Sequence, residues 1–86
     1  MKKYSHIKID KNVRIARFEK EAIILHIKTF QYYFVDEYGL FILNAINEMS
    51  SVNDIMLSIK SSYELSENDV LTFIAFLLNK KIIKVF

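Results

Sequence analysis

The chain contains no cysteine, no proline and no tryptophan, and its one glycine is Gly39. Without cysteine it has no disulfide framework, no thiolate nucleophile and no Cys-based zinc site, an absence compatible with the cytosol, where the chain is expected to work. One glycine cannot build a loop that cradles phosphate groups. There is no Pro/Gly/Ser-rich linker, low-complexity tract or internal repeat. Histidine is scarce too: His6 lies in a basic N-terminal stretch and His26 in a strand-like run. Neither has a carboxylate at metal-ligand spacing or a nucleophile motif beside it, so the sequence assigns no catalytic residue, metal site or cofactor. His26 is expected to be a partly exposed strand residue. The longest strongly apolar run, Leu71 to Leu78, is far short of the roughly 20 residues of a membrane span. The opening residues Met1 to His6 are not followed by the apolar stretch of a signal peptide.

What remains is a dense supply of core residues. Of the 86 residues, 52% are hydrophobic and 14% aromatic, enough for one small domain and no more. The formal charge of +2 hides an asymmetry. Residues 1–20 hold seven basic side chains against two acidic ones, and the remainder five against eight. Residues 1–11 therefore read as a basic arm, open to flexibility, and residues 12–86 as the folded domain. Such an arm suits an acidic peptide, a nucleic acid or solvent alone.

From Val13 to Val35 the chain is β-branched and aromatic, without helical periodicity. Val13 to Phe18 predicts a first strand, and Glu19-Lys20-Glu21 a hairpin break. Ala22 to Lys28 predicts a second strand, with Ile23, Leu25 and Ile27 on one face and Ile24 and His26 on the other. Thr29-Phe30 turns the chain into a third strand, Gln31 to Val35. The period then changes. Asp36 is suited to cap a helix that carries Phe41, Ile42, Ala45 and Ile46 and runs to about Glu48. A second helix follows Ser50-Ser51, marked by Val52, Ile55, Met56, Ile59 and Tyr63. Ser66 caps a third, which ends near Asn79 or Lys80, and Ile82 to Phe86 suits a last short strand. The layout is α+β: a three-stranded antiparallel meander, then three helices, the last two resembling the helix-turn-helix of a winged-helix domain.

Two features exceed what a fold needs. Val70, Leu71, Ile74, Leu77 and Leu78 already complete a core stripe on the third helix, where about 100° of apolar arc suffices. Phe73 and Phe76 widen it, beside Asp69, Thr72 and Lys80. They either close the core or floor a groove against a neighbouring strand. The third strand is the other oddity: aromatic, uncharged, and without the Lys, Pro or bulge that protects an exposed edge. Either a further strand pairs with it in solution, or the segment after Ile82 or a second copy covers it.

The run Ile24-Leu25-His26-Ile27-Lys28-Thr29-Phe30-Gln31-Tyr32-Tyr33-Phe34-Val35-Asp36-Glu37-Tyr38-Gly39 resembles the strand–turn–strand–helix signature of PqqD-like domains. Ser51-Val52, Ile55, Tyr63, Asp69-Val70, Phe73, Leu77 and Ile82-Ile83 continue the likeness through the helical half, so that it covers about residues 12–84. The sequence departs from the pattern at His26 for an Asp, Phe30 for the turn Gly, Asp36 for an Asn, and Lys81 where a Gly often precedes the final apolar pair. PqqD-like domains are RiPP recognition elements, modules for ribosomally synthesised and post-translationally modified peptides. The resemblance implies that a precursor's leader segment adds as a strand to the third strand and packs its side chains against the third helix. Carried onto this chain, the peptide-binding residues are Gln31, Tyr32, Tyr33, Phe34, Asp69, Thr72, Phe73, Phe76 and Lys80. The implied partners are the leader peptide and a modifying enzyme such as a radical-SAM enzyme, cyclase or leader peptidase.

The residues leave two rivals. A winged-helix DNA-binding regulator shares the topology, but its recognition helix should show Arg, Lys, Asn or Gln to base edges. The third helix here carries Glu67, Asp69, Thr72, Phe73 and Phe76, so specific nucleic-acid binding is not expected. A purely structural subunit that buries Phe73 and Phe76 against another protein is the second rival.

Overall fold

β-branched and aromatic residues without helical periodicity fold the N-terminal half into strands, and helical spacing folds most of the rest. The computed structural model describes residues 6–49, 51–62 and 66–86. Its elements, in chain order, are β1 (Ile7–Ile9), β2 (Val13–Phe18), β3 (Glu21–His26), β4 (Gln31–Val35), α1 (Glu37–Glu48), α2 (Val52–Ser62), α3 (Glu67–Asn79) and β5 (Ile83–Val85). Strands β2, β3 and β4 form an antiparallel sheet in that order, with Ile15, Ile24 and Tyr33 in one cross-strand row. Strands β1 and β5 form a separate antiparallel ribbon, in which Lys8 lies opposite Lys84. Tyr63, expected in the second helix, lies outside the described residues.

The period of two decides which face is buried. Val13, Ala22, Ile24 and Val35 turn inward onto α1, whose Leu40, Leu43 and Ile46 face them in the core. Ile55 and Ile59 of α2 join this core, as do Val70, Ile74 and Leu77 of α3. The caps are those the sequence predicts. The Asp36 carboxylate accepts the Gly39 N–H at 3.0 Å, and the Ser66 hydroxyl accepts the Asp69 N–H at 3.0 Å. The C-terminus of α3 closes as a Schellman turn: Ile82 N–H donates to the Leu77 carbonyl at 2.9 Å and Lys81 N–H to Leu78 at 3.1 Å. Lys81 takes a φ of 61° there, the conformation in which glycine is usual.

Two expectations are corrected, and one alternative for the sheet edge is closed. Residues 7–9 are not an arm but a strand, because Ile7 is 0% exposed and its burial outweighs the basic residues around it. The last strand does not approach β4; it pairs with β1. His26 is buried, at 5% exposure, since it shares the inward face with Ile24. Its Nδ1 accepts the Lys28 N–H at 3.3 Å, a turn contact rather than a catalytic one. Nearby, the Asn12 N–H donates to the Asp10 carboxylate at 2.8 Å and, as the main cause, holds its pKa below the ordinary value. Stability from that contact is therefore present above the unfolded-state pKa of Asp10 and is lost as pH falls.

If the ribbon is structural, Ile7→Ala costs about 2–5 kcal/mol, the range for deleting most of a fully buried aliphatic side chain. Chemical denaturation measures it. A loss under about 0.5 kcal/mol, as for an ordinary surface change, would return residues 7–9 to the status of an arm.

Candidate functional site

The three-stranded sheet has two edges, and they differ in chemistry. β2 carries Arg14 and Arg17, and the Arg17 guanidinium donates to the Asn44 side-chain carbonyl at 3.0 Å, tying that edge to α1. β4, Gln-Tyr-Tyr-Phe-Val, has no charge at all. Among the described residues no strand pairs with its outer edge, since β5 is occupied by β1. Its N–H and C=O groups on that side form an unused row of hydrogen-bonding groups.

One side of this open edge is walled by aromatic rings. The inward alternation of β4 points Tyr33 towards α3, where it meets Phe76 edge to face with ring centroids 5.8 Å apart. Phe76 in turn stacks on Phe73 at 6.1 Å and 24° between planes. Tyr33 is fixed from its other end, because its hydroxyl donates to the Gln31 side-chain carbonyl at 2.7 Å. Phe73 reaches into the angle between β4 and α1, and Gly39 is what admits it. A Cβ at position 39 would lie 3.1 Å from the Phe73 Cζ and 3.1 Å from the Val35 Cβ. The single glycine of the chain is thus a packing residue. It is the one contributor to the site that residue-type reasoning passed over; its place in the helix-opening pattern was the available signal.

The structure brings the sequence-chosen residues together as follows. Gln31, Tyr33 and the α3 residues lie on the inward side of the edge, while Tyr32 and Phe34 point away from α3 and are 72% and 66% exposed. Asp69, Thr72, Phe73, Phe76 and Lys80 fall at i, i+3, i+4, i+7 and i+11, which is one face of a helix. Asp69, Thr72 and Lys80 are exposed, Phe73 is half-buried against the core, and Phe76 is 36% exposed. From Asp69 to Lys80 the face runs roughly 16 Å, the reach of about five strand residues. This face of α3 therefore matches β4 in length, with an apolar middle, an acidic end and a basic end. Together they offer backbone pairing on one wall and ring contacts on the other. Among the described residues there is no group of three or more His, Asp or Glu side chains able to hold a metal ion, and no helix is long and apolar enough to cross a membrane.

Comparison with known proteins points the same way. Residues 21–83 match the sequence family described as coenzyme PQQ synthesis protein D (PqqD). The fold is similar to that of TbiB1, solved in complex with the TbiA(beta) leader peptide: TM-score 0.84, 26% identity, covering 92% of this chain and 96% of that one. It is also similar to a lasso peptide synthetase B1 complexed with the leader peptide, at TM-score 0.78 and 14% identity over 92% of this chain and 98% of that one. No curated protein matches the sequence.

The two α3 rings should separate cleanly in stability. Phe73→Ala, which removes a ring wedged against Gly39 and Val35, is expected to cost about 3 kcal/mol or more, and Phe76→Ala no more than about 1.5 kcal/mol. Thermal and urea unfolding of both variants measure this. Equal losses would mean that Phe76 belongs to the core and not to the groove.

Proposed function

The chain belongs to the PqqD family, and from that membership we propose that it binds the leader segment of a ribosomally synthesised precursor peptide and presents it to a modifying enzyme. The observation that carries the reading is the open, uncharged edge of β4 standing against the Tyr33–Phe76–Phe73 wall. The leader adds to β4 as a further strand. Its backbone amides satisfy the free N–H and C=O groups of Gln31 to Phe34, which supplies affinity without demanding a particular sequence. Alternate leader side chains then project towards α3, where Phe73, Phe76 and Thr72 select apolar residues. Asp69 and Lys80, at opposite ends of that face, favour a leader whose charges run basic to acidic along the groove.

In this reading the domain expected over residues 12–86 takes in β1 as well and is the peptide-binding domain, and α2 and α3 are the helix-turn-helix of a winged-helix layout that serves as a scaffold. The recipient enzyme is a radical-SAM enzyme, a cyclase or a leader peptidase, and the exchange takes place in the cytosol. The DNA-binding alternative gains no support. α3 shows Glu67, Asp69 and Phe76 at its surface, where a reader of base edges needs hydrogen-bonding and basic side chains.

Titration calorimetry with the leader of the cognate precursor tests the proposal. The wild-type domain should bind it, and Phe76→Ala should weaken binding by about tenfold or more, as expected for an aromatic hot spot, with the melting temperature largely kept. No sequence-dependent shift of duplex DNA should occur at physiological salt. A tight specific shift, or leader affinity indifferent to Phe76, would overturn the groove assignment.

A further inference from the structure

Among the described residues, three other than glycine adopt positive φ: Glu19 at 27°, Phe30 at 61° and Lys81 at 61°. Glu19 sits in the two-residue turn between β2 and β3, and Lys81 closes α3. The turn between β3 and β4 imposes the same conformation on Phe30, at the position where the resembling pattern has a Gly, so here it is the residue type that is unusual. Phe30 ends that turn, and its N–H donates to the His26 carbonyl at 2.9 Å. A bulky aromatic residue in the left-handed region is unfavourable, and glycine is the residue that occupies it without strain. Burial does not offset the strain, because Phe30 is 81% exposed. In the free domain this ring weakens the turn and contributes nothing to the core.

Its surroundings give it a purpose. The sheet's outer face, away from α1, is apolar: Arg14, Leu25 and Tyr32 make one cross-strand row, and Ala16, Ile23 and Phe34 the next. A shallow depression of about 540 Å³ is lined by residues of these rows. Leu25, Ile27, Tyr32 and Phe34 are all exposed, a patch of the kind that marks an association surface. Lys11, Arg14 and Lys28 are exposed near the Phe30 end, whereas the other end is mixed, with Glu19, Glu21 and Asp36 beside Arg17 and Lys20.

We propose that Phe30 anchors a docking surface, completed by Leu25, Ile27 and Tyr32, for the enzyme that acts on the bound precursor. That enzyme presents an apolar pocket for the ring with carboxylates on the rim beside Lys28 and Arg14. The inference rests on the reading of β4 as the leader site. A strand added to β4 continues the same sheet, and every second side chain of it emerges on the outer face beside Tyr32 and Phe34. The enzyme's docking face is therefore continuous with the peptide it must process.

The test compares wild-type, Phe30→Gly and Leu25→Lys domains, each loaded with leader, for binding to the purified enzyme that modifies the same precursor. Phe30→Gly relieves the turn, so its melting temperature should be unchanged or higher by up to about 8 °C. Its affinity for the enzyme should nonetheless fall by about tenfold or more, and Leu25→Lys should do the same. Leader affinity, measured separately, should stay within about twofold for both, since neither residue is among those assigned to the leader site. Enzyme binding that is absent in the wild type or unchanged in Phe30→Gly would overturn the anchor. So would a loss of leader affinity in Phe30→Gly, or a wild-type self-association that Phe30→Gly abolishes, since the ring would then serve the peptide or a second copy. Failure of the wild type to bind leader would instead count against the proposed function itself.

Discussion

The pairing of β5 with β1 determines what the rest of the molecule can do. The C-terminal segment leaves α3 through the Schellman turn at Lys81 and could in principle have covered the sheet. Ile83–Val85 instead joins Ile7–Ile9, with Ile82 and Ile83 buried and the Asp10 N–H donating to the Ile82 carbonyl at 2.8 Å. Hydrophobic burial of Ile7, Ile82 and Ile83 drives this choice, since backbone pairing alone gains little over water. Its consequence is an open β4.

An open edge is a hazard unless something limits what may pair with it. Here the limit is geometric. α3 stands beside the edge at a distance spanned by two rings, Tyr33 on Phe76, so an incoming strand must also satisfy an aromatic wall. The position of that wall is set from behind: Phe73 packs over position 39, where a Cβ would lie 3.1 Å from its ring and would force the ring or Val35 to shift. A conformational cost in α1, where glycine is a poor helix residue, thereby supports a surface feature on α3. The β2 edge shows the contrast, since Arg14 and Arg17 discourage the same event there.

Much of this was legible in the sequence, and the exceptions have physical causes. Alternation and caps located β2 to β4 and the three helices because each signal is local: Asp36 and Ser66 cap the helices they announce. The excess of Phe73 and Phe76 over a complete core stripe likewise pointed to the rings that stand beside Tyr33 of β4. The last strand was legible after Ile82, but β1 and its pairing with β5 were not, because a three-residue strand carries almost no periodicity and its partner lies at the opposite end of the chain. His26 was misplaced for a related reason. Both faces of β3 are apolar, so alternation did not say which turned inward, and the exposed face with Leu25 and Ile27 went unrecognised.

The proposed function requires strand addition at β4. Amide hydrogen exchange with and without the leader peptide reports it directly, because only backbone pairing slows exchange of the strand's own free amides. Protection should rise across Gln31–Phe34, change less on α3 around Thr72–Phe76, and leave β2 unaltered. Protection confined to the basic residues of the first eleven positions, with β4 unchanged, would contradict the account and indicate electrostatic capture instead.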